Sequence, residues 1–219
     1  MATRRNNSII GDYRGKLGPL VLSESYGVGT ARSMPRKSKK KLSGKRKKHT
    51  ATLGMVNTLL STATAIINLG FQKPKNPKMS PFNAAVSWNF NNALSEDPEN
   101  AVLQMEKVQL SLPIQKTQKA WEASLSLDAQ NNAKVAWKLN PYPHKCTHLD
   151  DRAIIVLYDA EENRFFLQHD VVLRSDQYFV RELGDCQKGH HLHWYMFMIS
   201  ADKKLVSETQ YLGMIKLEE

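Results

Sequence analysis

The 219 residues carry a formal net charge of +10, 41% apolar side chains and four tryptophans, which argues against a wholly disordered chain and suffices for a real core. There is no apolar run of the roughly eighteen residues that a membrane span needs. The first residues lack the apolar stretch of a cleavable secretory signal. Two cysteines, Cys146 and Cys186, cannot make a disulfide framework and suit a reducing cytoplasm or a particle assembled in one.

The charge is not spread evenly. Residues 1–50 hold fourteen Lys and Arg against Asp12 and Glu24, a net of +12, while residues 51–219 have a net of −2. Nine of the thirteen residues from Arg36 to Lys48 are cations: Arg36, Lys37, Lys39, Lys40, Lys41, Lys45, Arg46, Lys47 and Lys48. The chain is a nearly neutral body with a basic arm.

In chain order, residues 1–42 read as an extended Gly-rich and basic arm. Lys16–Leu22 and Val28–Met34 are expected as two short strands, with Gly11, Gly15, Gly18, Gly27 and Gly29 favouring turns between and before them. Two strands alone are marginal in water, so a sheet edge on the body or on a neighbouring copy is expected to receive them. Pro19 cannot donate to a ladder, which marks the first as an edge strand or a short augmenting one.

Residues 43–100 read as a two-helix segment. Leu53, Val56, Leu60, Ala63 and Ile66 or Ile67 recur at helical spacing behind a Ser43 N-cap, with Gly70-Phe71 as the stop. Ser80-Pro81 starts the second helix, whose buried face is Phe82, Ala85, Val86, Phe90 and Ala93.

From about residue 106 the period changes to two. Strands are expected over Lys107–Leu112, Ala123–Asp128, Lys134–Leu139, Ala153–Tyr158, Arg164–His169, Gln177–Glu182, His190–Ser200 and Leu205–Lys216, with a tight turn at Asn131-Asn132. This pattern predicts an immunoglobulin-like antiparallel β-sandwich over residues 101–219, with Trp137, Ile155, Leu157, Trp194 and Phe197 in its core. The fold class is α+β, and the contiguous strands are expected to carry a core of their own.

Gly15-Lys-Leu-Gly, Arg32-Ser-Met-Pro-Arg-Lys-Ser, Ile67-Asn-Leu-Gly-Phe71, Phe82-Asn-Ala-Ala-Val-Ser87, Ile199-Ser-Ala-Asp-Lys203 and the stretch Ser207–Gly213, in this order, resemble an uncharacterised domain family found mostly in Bacteroidota. The resemblance runs from about Ile10 to Gly213 and implies a chain organisation but no activity. Family members tend to have an ordinary amphipathic helix start where this chain has Gly44-Lys-Arg-Lys-Lys48, and they generally lack His and Cys in the sandwich.

Two constellations carry chemistry. Lys45 to Lys48 would fill the first turn of a helix, where the macrodipole disfavours cations; local stability does not select that placement. A cationic run without aromatic residues suits a sequence-independent grip on phosphates, or an acidic protein surface. His144, Cys146 and His148 alternate and would face one side of an extended segment; with Cys186 and His190 they include zinc-type donors. His-x-Cys-x-His is not an established zinc spacing, and cysteines packed as small apolar side chains are the preferred reading, so no metal and no cofactor are assigned. No phosphate loop, dinucleotide fingerprint or catalytic motif occurs. The expectation is a non-enzymatic structural subunit of a homo-oligomeric assembly, such as a connector, ring or tail piece of a phage virion. Its basic arm would anchor it to nucleic acid or to neighbouring subunits, with no membrane involved. The alternative is a soluble accessory protein that binds nucleic acid nonspecifically.

Overall fold

The computed structural model describes residues 2–3, 14–25, 28–35, 41, 43–71, 79–95, 101–113, 117–128, 130–168, 172–184 and 189–216. Arg36, Lys37, Lys39, Lys40 and Cys186 lie outside the described residues.

The arm forms its own sheet. β1 (Ala2–Thr3), β2 (Gly15–Leu17), β3 (Leu20–Ser25) and β4 (Val28–Ser33) are antiparallel in the order β1-β4-β3-β2. Lys16–Leu22 is therefore not one strand but a hairpin. Leu17 pairs with Leu20, and Gly18, at φ 56°, supplies the positive φ that a two-residue hairpin loop favours. Pro19 sits in that loop, where its missing N–H costs nothing, and its carbonyl accepts from the Met34 amide at 2.7 Å. Within the chain, the four described strands pair with one another and not with a sheet of the body. Residues directly opposite share a face, so Leu17, Leu20, Leu22 and Ala31 lie on one side and Lys16, Val21 and Arg32 on the other. Leu17 remains 56% exposed, and among the described residues none before Leu53 belongs to a core cluster.

Among its described residues the helical segment has three helices, not two: α1 (Gly44–Ser61), α2 (Thr64–Gly70) and α3 (Pro81–Asn92). The expected first helix keeps its apolar stripe but breaks after Ser61, and α1 and α2 meet at a bend of 86°. A run of hydroxyls marks the break. Ser61, Thr62 and Thr64 each donate to the carbonyl three residues back, Thr58, Leu59 and Ser61 respectively, competing with the helical ladder. The Ala63 amide then bonds Leu60 in the tighter i to i−3 manner. Ser80 caps α3 through the Asn83 amide at 3.1 Å, with Pro81 at its first turn.

The body has two further antiparallel sheets. β5 (Trp121–Leu127), β6 (Asn132–Lys138) and β10 (Tyr178–Glu182) form one in the order β10-β6-β5. β7 (Arg152–Asp159), β8 (Arg164–Leu167), β9 (Val172–Leu173), β11 (His191–Ile199) and β12 (Gln210–Lys216) form the other, in the order β12-β11-β7-β8 with β9 also on β7. Asn131, at φ 60°, makes the β5–β6 turn with Asp128 accepting from the Gln130 and Asn132 amides. Gln210 on β12 clasps the Ala120 backbone in both directions, tying the sheets at one edge.

Alternation along β7 and β11 divides the core. Ile155, Leu157, Trp194, Met196 and Met198 face the three-stranded sheet, where they meet Val135, Trp137 and Phe179. Val156, Tyr158, Tyr195 and Phe197 face the helices, where they meet Val56, Leu60, Ile66, Ile67 and Val86. All five expected core residues are buried, but Phe197 lies in the helix-side cluster. The molecule is α+β with three layers, sheet, sheet and helices. The helical layer is what a two-layer immunoglobulin-like sandwich lacks, and it makes one core continuous across residue 100.

The expected strand Lys107–Leu112 does not form. A single 3-10 turn occupies Met105–Lys107, and residues 109–111 are bonded to side chains instead of a ladder. The Gln109 amide donates to Asn89 Oδ1 at 2.9 Å, and the Leu110 and Ser111 amides donate to Thr209 Oγ1 at 3.0 and 2.9 Å. The Thr209 amide in turn donates to Gln109 Oε1 at 3.2 Å, and the last strand begins only at Gln210, five residues later than its period suggests.

Candidate nucleic-acid interface

Helix α1 begins well before its apolar stripe does. Ser43 accepts from the Arg46 amide at 3.4 Å, setting the start at Gly44, whereas the first fully buried side chain is Val56. Every residue of 44–51 is exposed, so about 12 Å of helix, at 1.5 Å per residue, stands clear of the core. Thr50 and Thr52 bond back to the Arg46 and Lys48 carbonyls. His49 rests on the Phe90 ring, centroids 4.9 Å apart, bracing the projecting turns against α3.

Four successive residues at 100° intervals encircle a helix. Lys45, Arg46, Lys47 and Lys48 therefore ring the end of α1 instead of lining one face, with exposed Lys41 just ahead of them. The first turn has no acidic residue. The ring also coincides with the positive end of the helix macrodipole, so backbone and side chains contribute field of one sign at one point. Positive charge at a helix N-terminus is the kind of field that favours anions without reading bases.

The sequence candidates for metal binding separate. His144, Cys146 and His148 lie in the connection from β6 to β7, where the chain turns: the Thr147 amide donates to the His144 carbonyl at 2.9 Å and the Asp151 amide to that of His148 at 3.2 Å. The one-sided alternation of an extended segment is lost, and all three side chains are exposed. His144 and Cys146, with Thr117 and Lys119, border an open cavity of about 600 Å³.

His190 is drawn elsewhere. Its Nδ1 lies 2.8 Å from Asp159 Oδ2, and that hydrogen bond raises its pKa. Beside it, His191 Nδ1 lies 2.6 Å from Glu161 Oε1, and the His191 amide donates to Oε2 at 2.7 Å. Glu161 is held at about 2, its hydrogen bonds from His191 outweighing desolvation, which acts in the opposite direction and is the largest single influence. Glu161 and Glu162 lie in the turn that follows β7, and the register Asp159↔Leu192 brings that turn to the start of β11.

The chain belongs to the family described as Family of unknown function (DUF6266), whose model matches residues 12–213. No curated protein and no solved structure matched it. No single described helix is long and apolar enough to cross a membrane.

Proposed function

We propose that this member of the family is a non-enzymatic structural subunit of a homo-oligomeric assembly, anchored to nucleic acid through the cationic end of α1. It would act in the cytoplasm or in a particle assembled there. The observation that carries the reading is the ring of Lys45, Arg46, Lys47 and Lys48 on helical turns whose residues are all exposed. Cations at a helix N-terminus oppose the macrodipole by about 0.3–1 kcal/mol each, so an acidic partner is the physical reason that favours them. Counterion release from phosphates supplies one without base recognition.

The arm sheet supports the homo-oligomeric part. It is amphipathic, with Leu17, Leu20, Leu22 and Ala31 on one face, and Leu17 and Leu20 are among the exposed large apolar side chains. A small sheet gains independent stability by packing that face, and a second copy of the chain offers a matching one.

Binding to duplex DNA measured against salt tests the anchor. With roughly six to nine phosphates engaged, the log–log slope should be about −5 to −8, and replacing Lys45, Arg46, Lys47 and Lys48 together by Ala should flatten it by several units. An unchanged slope would place the contact elsewhere. Sizing in nuclease-treated, high-salt buffer tests the assembly: the full chain should run far above its 24.9 kDa, and deletion of residues 1–34 should collapse it to monomer while the body still melts cooperatively. A full chain that elutes as a monomer would favour the accessory-protein reading.

A further inference from the structure

The turn between β7 and β8 joins the start of β11 in a way that neither the anchor nor the assembly uses. One potential ligand atom from each of Asp159, Glu161 and His190 lies within 4.8 Å of the others. We propose that these three residues form a binding site for a divalent transition-metal ion of the zinc class, completed by water.

The three donors come from two pieces of backbone. Asp159 ends β7, Glu161 lies in the turn that follows, and His190 directly precedes β11. The ladder fixes their proximity: Asp159 pairs with Leu192, and the Ala160 amide donates to the His191 carbonyl at 3.1 Å. No large closure is needed, since ligand atoms about 2.0–2.1 Å from a tetrahedral zinc are themselves about 3.3 Å apart.

Each donor is also oriented. Asp159 is fully buried; its Oδ1 accepts from the Glu161 and Glu162 amides at 3.0 and 3.1 Å, which leaves Oδ2 directed at His190. Glu161 is gripped by the ring and the amide of His191, the kind of outer contact that holds a ligating carboxylate in place. Among the described residues, the cationic partner within ion-pair distance is a histidine for both carboxylates, His190 for Asp159 and His191 for Glu161. Both carboxylates thus meet an imidazole at one corner of the sheet, and one imidazole nitrogen with two carboxylate oxygens is a donor set that zinc accepts. The ion would staple the β7–β8 turn to β11, a structural role.

The experiment uses the full chain, freed of metal by chelator and dialysis and titrated with zinc chloride by calorimetry. Wild type should take up one equivalent and melt at a higher temperature. His190→Ala and, separately, Glu161→Gln should each weaken binding about tenfold or more. His148→Ala, in the other histidine loop, should leave affinity unchanged. Cobalt substitution should give ligand-field absorption without a thiolate charge-transfer band. No uptake by wild type, retained affinity in both site variants, loss in His148→Ala, or a thiolate band pointing to cysteine would each overturn the assignment. Glu161 is exposed, so its variant tests the site without threatening the fold.

Discussion

Arg174 and Asp151 form an ion pair closed off from water: Nη2 stands 3.1 Å from Oδ2, with the two side chains 3% and 0% exposed. Arg174 also donates to the carbonyls of Gln118 and Lys119, and Asp151 Oδ2 accepts from Thr117 Oγ1 at 2.9 Å. The pair thus joins the segment before β5, the start of β7 and the turn before β10. Trp137 Nε1 adds a fourth element by donating to the Arg174 carbonyl.

Breaking such a pair from one side leaves an uncompensated buried charge, which costs about 3–5 kcal/mol. Arg174→Ala should lower the urea unfolding free energy by that amount. Arg174→Ala combined with Asp151→Ala should cost clearly less than the sum of the two single changes, because neither charge is then stranded. Additive costs would show that the residues act independently.

Thr209 offers a second test. Its Oγ1 is the acceptor for the buried Leu110 and Ser111 amides. Thr209→Val keeps the shape and removes the acceptor, stranding two donors at about 1–3 kcal/mol each. Ser111→Ala removes one hydroxyl that bonds the Ser207 carbonyl and should cost about 1 kcal/mol. Equal losses from the two variants in chemical denaturation would contradict this account of why residues 109–111 need no ladder.

These bonds also explain what the sequence could and could not reveal. Period and cap chemistry are local, so Ser43, Ser80-Pro81, the α1 stripe and the alternation in β6, β7 and β11 were legible, as was the cationic first turn of α1. Residues 107–112 alternate like a strand, yet their backbone partners are Asn89 and Thr209, about 20 and 98 residues away; no local pattern encodes that. Gly18-Pro19 carried a hairpin signal that was overridden by the apolar run around it. The meeting of Asp159 and Glu161 with His190 likewise depends on the pairing of β7 with β11.

Gly70 and Gly54 should respond oppositely to the same change. A Cβ at Gly70 would stand 2.1 Å from the Leu110 carbonyl oxygen and 2.7 Å from Ser111 Cα, while one at Gly54 would meet nothing within 4 Å. In a helix, Gly to Ala gains about 0.8–1.0 kcal/mol; at Gly70 an overpacking cost of about 1–3 kcal/mol or more works against it, and backbone on the other side cannot swing away. Gly54→Ala should therefore raise the melting temperature and Gly70→Ala lower it. A stabilised Gly70→Ala would mean that α2 does not approach residues 110–111 so closely.

His193 makes stability depend on pH. Its ring lies between Tyr158 and Tyr211, with Nδ1 2.9 Å from the Tyr211 hydroxyl. Burial and then the charge of His191 push its pKa below the ordinary 6.5, with Glu161 and Glu106 partly opposing. The unfolded chain therefore binds the proton more readily than the folded one. Stability from this site is complete above the unfolded value and is lost as pH falls from 6.5 through the lowered folded value. In metal-free buffer, the His193 ring should titrate below 6.5 by NMR. His193→Gln retains a polar partner for Tyr211 and cannot charge, so it should unfold with a shallower acid slope than wild type between neutral and mildly acidic pH. Comparing the two chains cancels the other histidines, whose contributions are common to both. Parallel slopes, or a His193 midpoint above 6.5, would show that burial does not govern this ring.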